Sequence, residues 1–279
     1  MSVNRRDVLI GSGVGAAVVV GAGALGYERA VAEKPEPPAP PATDAKGDLV
    51  WRNWSGIQHS YPSQRLSPKS EDELTQILKT APAPIRAVGA GHSFMPLVPT
   101  DGTLMTLDNI AGVTDVDANG IATVWAGTRL GDLGPELASK GRAMANLPDI
   151  NKQSLGGALG TATHGTGKQL RAIHGDVVGL RLVTAKGEIV ECDANNNPDL
   201  FNAARVSLGS LGIITQAKLH TIPNKRLHRR VWLEPFDETV SKAEERWKTH
   251  RNYEFYAIPF TGLTASIAHD ETDEPARPR

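Results

Sequence analysis

His92 directly follows a Gly89-Ala90-Gly91 turn and precedes Ser93 and the aromatic Phe94. Two glycines around one alanine let successive backbone N–H groups turn toward a common point. Such an array binds anions, a pyrophosphate for example. The imidazole at the lip of the turn adds a nucleophile. One reading of the stretch is an anion cradle that carries a nucleophile. The other is a tight strand-to-loop turn with a structural histidine, and this stretch alone leaves both open.

Two further glycine-rich segments lie downstream. After Leu147-Pro148-Asp149, the run from Ser154 to Gly167 reads S-L-G-G-A-L-G-T-A-T-H-G-T-G and contains His164. The run from Ser207 to Ile214 reads S-L-G-S-L-G-I-I. Small residues over such lengths build no core by themselves, but they let the backbone lie close to something flat or narrow. Three such segments with histidines and hydroxyls suggest an extended ligand threaded through one domain. Three loops with ordinary turn glycines are the alternative.

The elements that must position these segments can be read from periodicity and punctuation. Ile85–Val88, an apolar run between Pro84 and Gly89, predicts a buried central strand. Upstream, Tyr61–Ser67 predicts a strand. Ser70 with Glu73 forms a capping-box pattern ahead of Leu74, Ile77 and Leu78 at helical spacing. Together they make one β-α-β unit that ends on the cradle. Thr103–Leu107 predicts the next strand, and Thr114–Trp125 a hairpin turning at Asn119-Gly120. Leu130–Lys140 predicts a helix closed by Gly141. Val177–Val190 predicts a second hairpin at Lys186-Gly187, Pro198–Arg205 a short helix, and Ile213–Leu219 a strand ended by Pro223. Leu227–Leu233, Asp237–His250 and Tyr253–Phe260 then read as strand, helix and strand. The expected class is α+β with mixed strand order, not a doubly wound sheet.

Composition narrows the function classes. Hydrophobic residues make up 40% and charged residues 22%, the values of an ordinary globular protein. A net charge of −1 gives no sign of a nucleic-acid partner. Cys192 is the only cysteine, which rules out an internal disulfide and a cysteine-based metal site. Near the N-terminus, Gly21-x-Gly23-x-x-Gly26 mimics a dinucleotide-binding fingerprint, on which an NAD-type reading would depend. The context opposes it, because Pro35, Pro37, Pro38, Pro40 and Pro41 occupy the space where its helix and second strand belong. Arg5-Arg6 ahead of a long uncharged apolar run is instead the layout of a twin-arginine export signal, with a small-x-small site at Ala30-Val31-Ala32. Cleavage there and retention of the run as an N-terminal anchor both fit. Residues 33–46 read as an extended Pro-rich linker.

The three glycine-rich segments resemble the FAD-binding domain of the vanillyl-alcohol oxidase (PCMH-type) flavoproteins. They are most similar to the branch of gulonolactone, arabinonolactone and alditol oxidases. Arg86–Ser93 resembles that branch's pyrophosphate loop, Ser154–Gly167 its second FAD loop, and Phe201–Thr215 its third FAD-contacting stretch. The resemblance covers roughly residues 50 to 222. It implies a two-subdomain FAD-binding domain over 47–223, a partial α+β substrate cap over 224–270 and a disordered tail over 271–279. It assigns cofactor contacts to Ala87, Val88, Gly89, Ala90, Gly91, His92 and Ser93. It assigns further contacts to Ser154, Gly157, Gly160, Thr163, His164 and Gly165, and to Gly212 and Ile214. In the branch, the histidine of the first loop carries the flavin covalently through its 8-methyl group, a role that falls here on His92. His164 is equally well read as a structural hydrogen-bond partner.

The resemblance implies an FAD-linked oxidoreductase acting on the CH–OH group of a sugar lactone or polyol, and the N-terminal signal layout adds the expectation of export. Hydride would pass to flavin N5, and dioxygen or another acceptor would reoxidise the flavin. No catalytic side chain is identifiable. The substrate-facing arginine, acidic and lysine residues of family members, and their C-terminal His-Trp-x-Lys-like motif, have no counterpart here. The expectation is therefore a truncated chain, with a flavin-binding remnant lacking turnover as the alternative function.

Overall fold

The computed structural model describes residues 43–44 and 46–275. The export signal, the Gly21–Gly26 motif and most of the Pro-rich linker lie outside the described residues, as do residues 276–279. Every described element belongs to a single compact unit, 42–279.

The chain opens with an antiparallel ribbon, β1 (Trp51–Arg52) and β2 (His59–Ser60). β3 (Gln64–Leu66), helix Glu71–Thr80, β4 (Ile85–Ala87) and β5 (Thr103–Met105) follow. They form a three-stranded parallel sheet in the order β3-β5-β4. The β-α-β unit is thus present, with β5 inserted between its two strands. The helix begins where Ser70 Oγ accepts the Glu73 amide at 3.1 Å. Glu73 reaches back to the amide of Lys69 at 2.7 Å rather than to that of Ser70, so the box closes one residue early.

Two expectations are corrected here. Ile85–Val88 is not a buried central strand. β4 is the sheet edge, Arg86 and Ala87 are exposed, and only Val88 at its end is buried. The central strand is β5, which is buried at every position. An edge strand and a central strand of three residues carry the same short apolar run, so periodicity does not separate them. The predicted strand Tyr61–Ser67 shortens to β3, because Pro62 has no amide to donate to a ladder.

A second layer is antiparallel. β6 (Val113–Val116), β7 (Ile121–Trp125), β9 (Val177–Val183), β10 (Ile189–Asp193) and β11 (Ile213–His220) join in the order β10-β9-β11-β7-β6. Between β7 and β9 the chain forms β8 (Arg142–Ala143), which pairs with β12 (Ile222–Pro223). Both hairpin turns fall where glycine permits a positive φ, at Gly120 (79°) and Gly187 (75°). Helix Leu130–Ser139 packs Leu130, Leu133 and Leu137 onto this sheet, and helix Leu155–Gly160 adds Leu155, Ala158 and Leu159. These six side chains meet Ala122, Val124, Leu180, Leu182, Ala217 and Leu219 in the main core. Leu74, Met105 and Val183 form a smaller core that joins the two layers.

The C-terminal layer is a second α+β unit. β13 (Arg226–Pro235), β14 (Asn252–Ile258) and β15 (Leu263–Thr272) form an antiparallel sheet in the order β13-β15-β14. Helix Phe236–Thr249 covers one of its faces. β15 was not foreseen. Its residues Thr264–Ala268 are all buried, and burial on both faces erases the period-two signal. It also corrects the expected tail, since Glu271 and Thr272 belong to β15 and Glu271 pairs with Lys225 at 2.5 Å.

Beneath the helix, Arg246 makes a two-pronged ion pair with Glu234, at 2.5 and 2.7 Å. The Ser266 hydroxyl donates to the same carboxylate at 2.6 Å. The guanidinium carbon lies 5.3 and 5.6 Å from the ring centroids of Trp232 and Tyr253, which stack on each other at 6.2 Å. The hydrogen bond from Arg246 outweighs burial and holds the Glu234 carboxyl down to about 2. A carboxylate depressed in the folded state contributes stability above its ordinary value of 4.5 and loses it as pH falls through about 2. Replacing Glu234 with alanine strands a buried guanidinium, and we expect a loss of about 3–5 kcal/mol in chemical denaturation at neutral pH. That deficit should shrink as pH falls from 4.5 and be smallest below about 2, where the folded carboxyl itself is protonated.

Candidate functional site

The Gly89–Ser93 turn leaves the end of β4 under tight control. Val88 donates its amide to Met105 O at 2.8 Å, and its side chain packs on Trp51 and Leu104. Gly91 adopts φ 68°, and its carbonyl accepts the Trp54 amide at 2.8 Å. Asn53, itself buried, donates from Nδ2 to Ser93 O at 3.0 Å. Gln58 Nε2 donates to Phe94 O at 3.2 Å. The β1–β2 ribbon therefore grips the loop from 91 to 94 by its backbone. The same ribbon sets Trp54 against the His92 ring, stacked at 5.2 Å between centroids and 25° between planes.

The second segment meets this turn directly. Ser154 caps helix Leu155–Gly160, its Oγ accepting the Gly157 amide at 3.3 Å. A Cβ on Gly89 would lie 2.0 Å from that Oγ and 3.7 Å from the Gly157 Cα. Glycine is required at 89 by this close approach of two chain segments. Past the helix, Thr163 Oγ1 accepts from Gln153 Nε2 at 3.0 Å, and His164 Nδ1 lies 3.0 Å from the Gly165 carbonyl. Gly165 is pressed against Leu147 O, which a Cβ would approach to 2.2 Å. The third segment touches the second where the Leu208 amide donates to Gly160 O at 3.2 Å.

The outcome is one cleft of about 270 Å³ lined by Trp54, His92, Phe94, Pro148, Asp149, Ile150, Gln153 and His164. The structure thus brings His92 and His164 together, with the Gly89-Ala90-Gly91 turn, Ser154, Gly157 and Thr163 beside them. Gly212 and Ile214 do not line this cleft. Gly212, at φ 135°, is packed against Val183 O, and Ile214 pairs with Leu182 inside the five-stranded sheet. Ala87 is exposed on the edge strand. A larger groove of about 370 Å³ opens between Thr114–Ala118, Lys140 and Arg142, and no residue of the three segments lines it.

Several cleft residues carry no sequence signal for the role. Trp54 and Gln153 reach the site only through tertiary contacts. Asp149 belongs to a group from the C-terminal sheet, since the Tyr256 phenol donates to Asp149 Oδ2 at 2.9 Å and lies 3.4 Å from Glu254 Oε2. Burial, followed by the nearby Asp149 charge, pushes the Glu254 carboxyl above its ordinary value. Burial, with Arg229 next, lowers the His269 imidazole. Among the described residues no group of three or more His, Cys, Asp or Glu side chains is placed to hold a metal ion.

The comparisons with known proteins fall on this region. An FAD-binding-domain family matches residues 62–193. The chain is 36% identical over 233 residues to an L-gulono-1,4-lactone dehydrogenase of Mycobacterium tuberculosis, covering 82% of this chain and 54% of the relative. It is 34% identical over 242 residues to a D-arabinono-1,4-lactone oxidase of Kluyveromyces lactis, covering 84% and 46%. It is 31% identical over 231 residues to the L-gulonolactone oxidase of Bos taurus, covering 81% and 52%. The chain thus spans about half the length of the curated relatives it matches. Among solved structures, a histidine-to-alanine mutant of cholesterol oxidase from Brevibacterium sterolicum superposes with a TM-score of 0.72 at 20% identity, covering 88% of this chain and 51% of that one. That likeness is one of fold, a mixed α and β arrangement of the PCMH type. Residues 62–193 are an FAD-binding domain, and the chain is a homologue of the sugar-lactone dehydrogenases and oxidases.

Proposed function

We propose that the chain is an FAD-dependent oxidoreductase that oxidises a sugar lactone or polyol, with His92 as the covalent anchor of the flavin. The carrying observation is the convergence of two glycine-rich segments and two histidines on one cleft. The residues present fit such a cofactor. The amides of Gly89-Ala90-Gly91 suit a pyrophosphate, and the backbone at Gly157, Gly160 and Gly165 lies close without side chains. When bound, the flavin supplies the redox chemistry by accepting a hydride and passing electrons to dioxygen or another acceptor.

The chain's own residues bind, orient and shield. The Trp54 indole stacks on the His92 ring and fixes its plane at the cleft, and an imidazole is a nucleophile suited to a bond with the cofactor. His164 and Gln153 line the same cleft and offer hydrogen-bonding groups along it. The identity with the lactone enzymes extends over more residues than the FAD-binding domain alone, which favours an enzyme over a remnant that only holds flavin. We also propose export by the twin-arginine route, supported by Arg5-Arg6 and the apolar run after them.

Three measurements test these readings. Wild-type protein precipitated with acid and washed should stay yellow and fluoresce as a band on a denaturing gel, because no noncovalent site survives unfolding. His92→Ala should lose the band yet still bind FAD. A fully loaded wild type that turns colourless on precipitation overturns the anchor. Gly89→Ala should cut flavin content at least tenfold, since its Cβ meets Ser154 Oγ at 2.0 Å. Undiminished flavin in that variant would argue against the cradle. Lysine at both Arg5 and Arg6 should hold the protein in the cytoplasm, and unchanged recovery outside it removes the export reading.

A further inference from the structure

His92 is held on several sides by two consecutive residues of the β1–β2 ribbon. Trp54 donates its amide to Gly91 O at 2.8 Å, which pins the peptide that enters the histidine. Asn53 Nδ2 donates to Ser93 O at 3.0 Å, which pins the chain one residue beyond it. Asn53 is itself fixed, because its Oδ1 accepts the Gln58 amide and its Nδ2 also donates to Ser55 Oγ, both at 3.0 Å. The backbone on either side of His92 is therefore set by the ribbon. That alone does not set the ring, since the outer torsion of a histidine side chain is broad. The Trp54 indole supplies the missing restraint, lying against the imidazole with 25° between their planes.

The two tryptophans of the ribbon have different surroundings. Trp51 is 7% exposed and packs with Val88 and Leu104 in a core cluster. Trp54 is 64% exposed and lines the cleft with His92. Stabilisation by burial scales with the area removed from water, so Trp54 contributes little to the fold by that route. Its stack on His92 is the specific contact it makes with its ring.

We propose that Trp54 is the positioning residue for covalent attachment at His92. Its indole holds the imidazole in the orientation from which a ring nitrogen meets the 8-methyl carbon of the flavin. The proposal rests on the reading of His92 as the anchor and names what makes that histidine competent. Attachment forms one bond, from imidazole nitrogen to methyl carbon. It breaks a C–H bond of the methyl group and the N–H bond of the imidazole. Both protons leave to water, and the two electrons enter the isoalloxazine. Dioxygen then takes those electrons and becomes hydrogen peroxide, which returns the attached flavin to its oxidised form. With FAD and dioxygen as the only reactants, the rate depends on how often the nitrogen points at its target. Holding a reacting group in near-attack geometry is a large source of rate in such steps.

The test uses full-length protein made free of flavin in riboflavin-limited cells. It is mixed with saturating FAD in air, and attachment is followed over time as flavin fluorescence on a denaturing gel. Saturation separates attachment from affinity. Trp54→Ala should slow attachment at least tenfold, and Trp54→Leu, apolar but not flat, should be as slow. Trp54→Phe, which keeps a flat ring, should stay within threefold of wild type. An alanine variant that attaches at the wild-type rate overturns the positioning role while the anchor stands. A leucine variant as fast as wild type, or a phenylalanine variant as slow as the alanine one, also overturns it. A wild type that binds FAD and never attaches it overturns the anchor and this inference together.

Discussion

The cleft depends first on the contact of Gly89 with Ser154. One atom, a Cβ at residue 89, would fill the gap between the end of β4 and the cap of helix Leu155–Gly160. The parallel layer and the antiparallel layer meet at that point. On one side the chain continues into His92, and on the other into Thr163 and His164. The cleft exists because both segments leave the contact in the same direction. A larger residue at 89 would move the start of the helix, and with it the wall that carries Gln153 and Asp149. Positive φ at Gly91 serves the same end, since it turns His92 back over Trp54 instead of letting the strand run on.

Away from the cleft the two layers are tied by one carboxylate. Glu71 sits in the first turn of its helix, where a negative charge suits the helix N-terminus. It accepts from Arg181 on β9 at 2.8 Å and from Thr215 on β11 at 2.5 Å. Leu74, one turn on, is fully buried with Met105 and Val183. Polar and apolar contacts therefore arise from the same helix face, so the layers cannot slide without losing both. This rigidity matters to the site, because a cradle made of backbone has no side-chain freedom with which to absorb a shift.

Local features were legible in the sequence. The capping serine, both glycine hairpins and the helix closed by Gly141 depend on residues a few positions apart, and each stands where expected. The three glycine-rich segments were legible for the same reason. What escaped depends on distance along the chain. Trp54 carries no pattern that says it will stack on His92, because 38 residues separate them and only the ribbon contacts decide it. The edge position of β4 is a property of the sheet, not of I-R-A-V. β15 escaped because it is the central strand of its sheet, where burial on both faces removes alternation. Gly212 and Ile214 were assigned to the cofactor by the resemblance of their stretch, and their contacts, Gly212 against Val183 O and Ile214 paired with Leu182, are again tertiary.

The C-terminal sheet distributes its charge unequally between its two faces. Its helix-covered face holds charge in a closed arrangement, with Arg246, Glu234, Ser266 and Tyr253 each satisfying the next. No capacity is left there for a ligand. The opposite face holds its charges at the margin, where Asp149 arrives from another part of the chain and Tyr256 can serve only one of two carboxyl groups. Ile267 and Val231 keep the middle of that face apolar. A face with buried, fully paired charge contributes rigidity; a face with carboxyl groups crowded on one donor retains hydrogen-bonding capacity. Because both faces share the same three strands, the ion pair on one side fixes the spacing of the polar groups on the other.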